Sequence, residues 1–164
     1  MYTCEPLNDR HDLGPFDSGQ PDLDRWLREH ARSAEARRTA RTFVWLDDAG
    51  SVIAYYTIAA HLLQRADLPR SIGRGNPNHI PAVLLARLAL VRTLPGQGLG
   101  GALLADALTR IVAATSVVAA RFVVVDAIDE PAALFYERHG FRRIPVTNRL
   151  IQKVSDVAAA LDQV

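Results

Sequence analysis

The amino-acid sequence predicts an α/β (α+β) fold in which a mixed central sheet is flanked by helices. Three observations favour this fold. Strand-like and helix-like segments alternate along the chain, a glycine-rich run joins an apolar strand to a helix, and 49% of the 164 residues are hydrophobic. This length and composition suit one domain with a substantial core, so residues 1–164 are predicted to form a single domain.

The N-terminal half predicts a strand, a helix and a hairpin. Residues 2–7 are interpreted as a short strand, and PDLDRWLREHARSAEARR, which starts at Pro21, has the apolar spacing of one helix. The segment RTFVWLDDAGSVIAYYTIAA predicts a β-hairpin, because DDAG separates two β-rich runs. Residues 64–81 are rich in proline, glycine and arginine and predict a loop.

The C-terminal half predicts a second set of strands and helices. AVLLARLALV is too continuously apolar for a strand with one face in water, and RFVVVDAI has the same character. Gly98 to Thr115 predicts a helix, and DEPAALFYERHG predicts a shorter one with Pro131 near its start and Gly140 at its end. RRIPVTNRLIQKV predicts a last strand region, followed by a terminal helix in SDVAAALDQV.

The composition and charge of the chain argue against several classes of function. A net charge of +1 gives no overall field that would attract nucleic acid. No apolar run reaches the length of a membrane span, and the N-terminus lacks a signal peptide's pattern, so we expect a cytoplasmic protein without membrane partners. Cys4 is the single cysteine and cannot form an internal disulfide, and the five histidines lack metal-ligand spacing, so no metal is expected.

The run LPGQGLGGALL, residues 94–104, predicts an anion site. A strand that leads through glycines into a helix N-terminus presents unpaired N–H groups to a phosphate. A P-loop is excluded, because no Lys and Ser/Thr follow the glycines. Gly96, Gly98 and Gly101 match the dinucleotide pattern G-x-G-x-x-G, but Asp126, the only candidate for its ribose-binding acid, comes too late. A glycine turn that merely packs the helix closely remains an alternative.

Two motifs together resemble the GNAT superfamily of acetyl-CoA-dependent N-acetyltransferases. In the loop motif Gln/Arg-x-x-Gly-x-Gly/Ala, Gly98 and Gly100 hold the two small positions, whereas Pro95 departs from the first. Some 35 residues later, the motif A-x-x-F-Y-E-x-x-G-F is matched by Ala132, Phe135, Tyr136, Glu137, Gly140 and Phe141.

Over residues 5–150 the chain is also similar to GNAT toxins of bacterial type II toxin–antitoxin modules. The segment from FDSGQPDLDRWL to the hairpin and the order PxxLLARLAL before the glycines carry this resemblance. It implies an enzyme that acetylates the α-amino group of aminoacyl-tRNA and so blocks translation. It also implies neutralisation by a ribbon-helix-helix antitoxin, and a homodimer.

The resemblance further implies roles for individual residues. Pantetheine would pair with the main chain of Leu88, Ala89 and Leu90. The pyrophosphate would lie on Gly96, Gln97, Gly98, Leu99, Gly100 and Gly101. Tyr136 takes the place of the general acid, and a phenol with a pKa of about 10 is protonated at neutral pH and can donate to a leaving thiolate. A core aromatic is the alternative role for Tyr136.

The acceptor amine is constrained by the strand before the glycines. Many GNAT enzymes carry a glutamate base there, whereas RLALV offers only Arg87, which cannot remove a proton. An α-amino group, with a pKa near 8, has a larger neutral fraction at neutral pH than a lysine amine with a pKa of about 10.4. The sequence therefore favours an α-amine as acceptor.

Arginine dominates the basic residues, since Lys153 is the only lysine among 19. Arginines suit the phosphates of an RNA acceptor stem. We interpret four as tRNA contacts, because three crowd the end of the first helix and the fourth flanks the glycine run: Arg37, Arg38, Arg41 and Arg92. Arg25, Arg28 and Arg32 lie at helical spacing, and the 64–81 segment adds Arg65, Arg70 and Arg74. Docking of an acidic antitoxin tail, or a solvated helix face, are the alternatives.

Two rival functions stay open at this point. One is a GNAT enzyme that acetylates a protein N-terminus, a polyamine or a drug amine, although a cationic acceptor would favour an acidic cleft over arginines. The other is a non-catalytic nucleic-acid-binding regulator that holds acetyl-CoA. Such a protein would not need the phenol of Tyr136.

Overall fold

The structure is a computed structural model that describes residues 2–94 and 98–163. The strands of the described residues are β1 (Thr3–Pro6), β2 (Arg41–Leu46), β3 (Val52–Gln64), β4 (His79–Leu90), β5 (Phe122–Asp126), β6 (Arg142–Arg143) and β7 (Arg149–Lys153). The helices are α1 (Pro21–Glu29), α2 (Ala31–Arg37), α3 (Arg70–Gly73), α4 (Leu99–Thr115), α5 (Glu130–Arg138) and α6 (Val154–Leu161), with a 3-10 turn at Arg65–Asp67.

The strands form one mixed sheet in the order β1-β2-β3-β4-β5-β7-β6. The pairs β1–β2, β2–β3, β5–β7 and β6–β7 are antiparallel, whereas β4 and β5 are parallel. The predicted fold class is therefore confirmed. The described residues divide into two compact units, drawn from Met1–Ala59 with Ala86–Ala107 and from Ala60–Leu85 with Leu108–Val164. The single domain over residues 1–164 stays a prediction.

The first unit has a core between the N-terminal helices and the predicted hairpin. Leu27, Val44 and Tyr55 are buried there, and the Tyr55 hydroxyl donates to the Leu23 carbonyl at 2.7 Å. Asp24 is also buried, and its carboxylate accepts hydrogen bonds from the backbone N–H and the hydroxyl of Ser18. These bonds satisfy the buried carboxylate at the start of the first helix.

The second unit has its own core, built on β4, β5 and β7. Ile80, Phe122, Val124 and Ile151 are buried in it. Next to this core, α5 lies within the predicted helical segment DEPAALFYERHG, and the Asp129 carboxylate accepts the N–H of Ala132 at 2.9 Å and so caps the helix.

The structure differs from the sequence prediction at three places. The helix predicted from Pro21 is two helices, because His30 leaves helical geometry with φ −124° and ψ −23°. After this break, Arg32 donates to the Asn8 and His11 carbonyls. The loop predicted over residues 64–81 contains the 3-10 turn, α3 and the start of β4. The last strand region is a short antiparallel pair, β6 and β7.

The burial expected along β4 is wrong. Ala82, Leu85 and Ala89 are buried, but most of the other side chains from Val83 to Val91 are only half-buried. The parallel register with β5 runs from Ala82↔Phe122 to Leu84↔Val124, although β5 continues to Asp126. Among the described residues the pairing thus stops before β5 ends. Within the same residues, no helix has the length and apolar character to cross a membrane.

Candidate active site

One candidate functional element is the start of α4. The Gly98 carbonyl accepts the N–H of Ala102 at 3.1 Å, and Leu99, Gly100 and Gly101 form the first turn of the helix, where an α-helix has N–H groups to offer a ligand. Gly98 has a φ of +69°, a backbone conformation that favours glycine. The positive end of the 17-residue helix and these donors can hold an anion. Gly96 and Gln97, also predicted to bind the pyrophosphate, lie outside the described residues, as does Pro95.

The strand that leads to this helix carries the predicted pantetheine segment. Leu88 and Leu90 are half-buried and Ala89 is buried. Beyond the strand, the N–H of Val91 donates to Ile53 at 2.9 Å and the N–H of Arg92 donates to Asp17 at 3.1 Å. These bonds fix the chain as it leaves β4.

The four arginines predicted to contact tRNA differ in their partners. The Arg92 guanidinium pairs with Asp17 at 2.8 Å, and the Arg41 guanidinium pairs with Glu35 at 2.7 Å. Arg37 and Arg38 are exposed at the end of α2, and in the described parts of the chain neither guanidinium has an acidic partner. Arg38 has a φ of +61°, which turns the chain out of the helix. Arg37 and Arg38 therefore keep an unneutralised charge.

Arg87 is held against an aromatic ring. Its guanidinium carbon lies 3.9 Å from the centroid of the Trp26 ring, and Trp26 in turn stacks on Tyr55 with centroids 6.4 Å apart. Burial lowers the pKa of Arg87 from its ordinary value, but a guanidinium stays charged at neutral pH. The sequence excluded Arg87 as a base and gave no sign of its contact with Trp26, because 61 residues separate the two.

Another candidate functional residue is Tyr136 on α5. Its side chain is 8% exposed, and it packs edge-on against Phe135 and Phe141 with centroids 5.2 and 5.6 Å away. Burial raises the pKa of Tyr136 well above its ordinary value. No hydrogen bond joins its hydroxyl to another of the described residues. Tyr136 is therefore a protonated donor whose hydroxyl is not engaged by any other described residue.

Glu137, the next residue of the motif, has a structural partner. Its carboxylate accepts from Arg143 at 3.0 Å, and Glu130 accepts two more bonds from the same guanidinium, both at 3.0 Å. The bonds from Arg143 lower the pKa of Glu130. Arg143 therefore ties both turns of α5 to β6, and this network positions the helix that carries Tyr136.

A polar network at the end of β5 was not predicted. Arg149 donates to both oxygens of Asp126 at 2.8 Å and lies 3.1 Å from Nε2 of His61. The hydrogen bond from Arg149 lowers the pKa of Asp126, and burial together with the Arg149 charge lowers the pKa of His61. Asp126 is thus fully engaged by a guanidinium. The members lie 23 and 88 positions apart, so no local pattern could have indicated the network.

Two further sequence expectations concern single residue types. The Sγ atom of Cys4, the single cysteine, lies 4.0 Å from the Tyr56 hydroxyl. The described ranges contain no group of three His, Cys, Asp or Glu side chains that could hold a metal ion.

The fold, the start of α4 and Tyr136 together define a class of protein. A mixed sheet, a helix that starts on glycines after the fourth strand, and a buried tyrosine on the helix after the fifth strand are the features of a GNAT acetyltransferase. No family model matches the chain. The chain is 36% identical over 139 residues to the tRNA-acetylating toxin of Mycobacterium tuberculosis, covering 85% of this chain and 83% of the relative. It therefore belongs to the family of GNAT toxins.

Other relatives agree with this assignment. The probable toxin TacT of Sinorhizobium fredii is 31% identical over 152 residues, covering 86% of this chain and 84% of the relative. Among solved structures, AtaT complexed with acetyl-methionyl-tRNAfMet is similar with a TM-score of 0.87, 30% identity and coverage of 98% and 99% of the two chains. A Tyr→Phe mutant of AtaT, bound to the C-terminus of the antitoxin AtaR and acetyl-CoA, gives a TM-score of 0.84 and 28% identity, with 99% of both chains covered. The family resemblance predicted from the sequence is thereby confirmed.

Proposed function

We propose that this protein transfers the acetyl group of acetyl-CoA to the α-amino group of aminoacyl-tRNA and thereby blocks translation. The observation that carries the proposal is Tyr136, a buried phenol whose hydroxyl bonds to no other described residue, in a fully matched motif of the GNAT superfamily. A nucleic-acid-binding regulator would have no use for such a proton donor. The relative named tRNA-acetylating toxin and the AtaT complex with acetyl-methionyl-tRNA support the choice of acceptor.

Acetyl-CoA would bind through the main chain. The N–H groups of Leu99, Gly100 and Gly101 at the start of α4 would hold its pyrophosphate, together with the neighbouring Gly96, Gln97 and Gly98. Pantetheine would lie along Leu88, Ala89 and Leu90, where β4 is only partly buried. Since the contacts are backbone contacts, Pro95 in place of Gln or Arg removes a side-chain contact and leaves these donors intact.

The reaction needs only a neutral amine and a proton for the thiolate. The amine lone pair attacks the thioester carbonyl carbon, the C–S bond breaks, and Tyr136 donates its proton to the leaving sulfur. The acetylated nitrogen then loses its surplus proton to solvent, and the phenolate recovers one. Because an α-amine is partly neutral near pH 8, this scheme requires no acidic base on β4, where Arg87 stands.

This proposal is tested with purified protein and labelled acetyl-CoA. We expect label to appear on charged tRNA, and none on uncharged tRNA or on spermidine. Label on spermidine alone would favour a small-molecule amine, and equal label on charged and uncharged tRNA would exclude the α-amine as target.

The arginines at the end of α2 are proposed to contact the tRNA backbone. Arg37 and Arg38 supply the free charges, whereas Arg41 and Arg92 would have to exchange Glu35 and Asp17 for phosphate. Exchange of one exposed ion pair for another costs little, since such pairs contribute only about 0–1 kcal/mol. All four thus stay proposed contacts, with the larger effects expected from the first two.

Replacement of Arg37, Arg38 and Arg41 by Ala is expected to raise the KM for aminoacyl-tRNA. Each lost phosphate contact also lowers the slope of log KM against log salt by about 1, since fewer counterions are released. The measurement is acetyl transfer to charged tRNA at several salt concentrations. A control that replaces the exposed Arg10, Arg121 and Arg142 changes the net charge equally and should leave both quantities unaltered. An unchanged KM and slope in the first variant would show that these arginines only form a solvated surface.

The proposed function also includes protein partners and a cellular compartment. A ribbon-helix-helix antitoxin would neutralise the protein, and an acidic segment of it could pair with the same arginines. AtaT binds the C-terminus of its antitoxin AtaR, which supports a partner of this kind. A homodimer and action in the cytoplasm, where charged tRNA is found, complete the proposal. Size-exclusion chromatography with light scattering would contradict the homodimer if it gave the mass of one chain.

A further inference from the structure

A cleft lined by three arginines lies between β3 and β4 along the chain. It has a volume of about 510 Å³ and opens between the 3-10 turn at Arg65–Asp67 and the loop after α3. Its charged lining residues are Arg65, Arg70 and Arg74. The remaining lining residues are Ala66, Leu68, Gly73 and Gly75. The cleft therefore presents cations, aliphatic groups and bare backbone.

Arg65 is a fixed part of this cleft. Its guanidinium donates to the Asn76 carbonyl at 2.8 Å, and its backbone N–H donates to the Asn78 carbonyl at 2.9 Å. Gly73 packs against it so closely that a Cβ on Gly73 would lie 3.1 Å from Cγ of Arg65. The Asn76 amide in turn donates to the Ile72 carbonyl at 3.0 Å. These contacts hold the walls of the cleft in place.

Arg70 and Arg74 supply unneutralised charge. Both are exposed, and across the described residues neither guanidinium has an acidic partner. Asp67 is the one acid in the segment 65–75, and it lines a different cleft, which it shares with Asp126 and Arg149. The cleft thus has three guanidinium groups and no carboxylate among its lining residues.

The chemistry of the lining indicates the ligand. A guanidinium binds phosphate oxygens in a bidentate manner, which makes arginines suited to phosphodiester groups. Stacking of unpaired bases usually requires aromatic side chains, and none of the residues that line the cleft is aromatic. We infer that this cleft binds the phosphodiester backbone of the RNA acceptor without reading its bases. This inference rests on the proposed function and adds a phosphate site to it.

The test replaces the two free arginines and keeps Arg65, which supports the loop. Arg70→Ala with Arg74→Ala is expected to raise the KM for aminoacyl-tRNA about tenfold and to lower its log–log salt slope by about 2, one for each lost contact. The Kd for acetyl-CoA should not change. The variant with both arginines replaced by Lys should keep the salt slope, since its charge is retained. The control Arg10→Ala with Arg121→Ala removes the same charge from elsewhere on the surface.

Direct binding separates this inference from the proposed function. Fluorescence anisotropy with 3′-labelled uncharged tRNA measures RNA affinity without acetyl transfer, and thermal melting confirms that each variant is folded. Unchanged tRNA affinity and salt slope in the double Ala variant would overturn the phosphate site. A weaker Kd for acetyl-CoA with unchanged tRNA affinity would overturn it as well, because the phosphates would then be those of the cofactor. If the wild type bound tRNA through these arginines but acetylated no charged tRNA, the proposed function alone would fail.

Discussion

Tyr136→Phe is expected to lower kcat for acetyl transfer by about a hundred- to ten-thousand-fold, the usual contribution of a general acid. The substitution removes one hydroxyl and keeps the ring that packs against Phe135 and Phe141. Since that hydroxyl bonds to none of the other described residues, the variant should retain its stability and its Kd for acetyl-CoA. Single-turnover kinetics and calorimetry measure the two quantities separately.

The matched control is Tyr56→Phe, which removes the hydroxyl of another buried tyrosine, on β3. It should leave kcat unchanged, at a cost in stability of about 1 kcal/mol for the lost polar contact. A Tyr136→Phe variant whose kcat fell by less than a few-fold would show that Tyr136 is a core aromatic and that another group protonates the thiolate.

The pH dependence of the wild type follows from the raised pKa of Tyr136. Burial keeps the phenol protonated beyond its ordinary range, so the acid is in its active form over the whole neutral and mildly alkaline range. The α-amine must be neutral, and its pKa is about 8. The kcat/KM should therefore rise with pH through the amine pKa and then stay level to about pH 10. A fall between pH 8 and 9 would indicate an acid whose pKa lies below that of an ordinary tyrosine.

Gly98→Glu and Gly100→Glu are each expected to weaken acetyl-CoA binding by at least about a hundredfold, or roughly 3 kcal/mol. A carboxylate there would repel the pyrophosphate, and the side chain would occupy the space through which a phosphate approaches the main chain. At Gly98 the φ of +69° adds backbone strain. Isothermal titration with acetyl-CoA measures the effect.

Gly50→Glu is the control for charge and strain together. Gly50 has a φ of +82° and, like Gly98, open space where a Cβ would be, but it lies in the turn between β2 and β3. Its variant should bind acetyl-CoA like the wild type. An unchanged affinity for acetyl-CoA in both Gly98→Glu and Gly100→Glu would show that the glycine run is a turn that only packs the helix.

Local patterns predicted the parts of the structure that local interactions determine. The DDAG turn and the helix α5 depend on residues within a few positions, and both appear where expected. The break at His30 was missed, because the apolar spacing continues through it and the interactions of Arg32 lie 21 and 24 residues away. The apolar sequence of β4 also led to a wrong expectation of its burial, since the pairing of β4 with β5 ends within the strand.

The features of the candidate site also differ in whether a local sequence pattern predicts them. The positions of Gly98 and Gly100 at the start of α4 and of Tyr136 within α5 were predicted from motif spacing, whereas their roles stay predictions. The ion pairs of Arg41 and Arg92 were not predicted. Glu35 lies only six residues from Arg41, but their pairing depends on how the chain turns after α2. Arg92 pairs with Asp17, which is distant in sequence. No local sequence pattern indicated the network of Arg149 with Asp126 and His61.

The position of the acetyl group on the product tests the central claim most directly. Charged tRNA is incubated with the protein and acetyl-CoA, digested with nuclease to release the aminoacyl-adenosine, and analysed by tandem mass spectrometry. We expect one added acetyl group, located on the α-nitrogen of the amino acid, and no modified nucleoside in the uncharged control. An acetyl group on a base or ribose, or its absence from charged tRNA at full occupancy by acetyl-CoA, would contradict the proposed function.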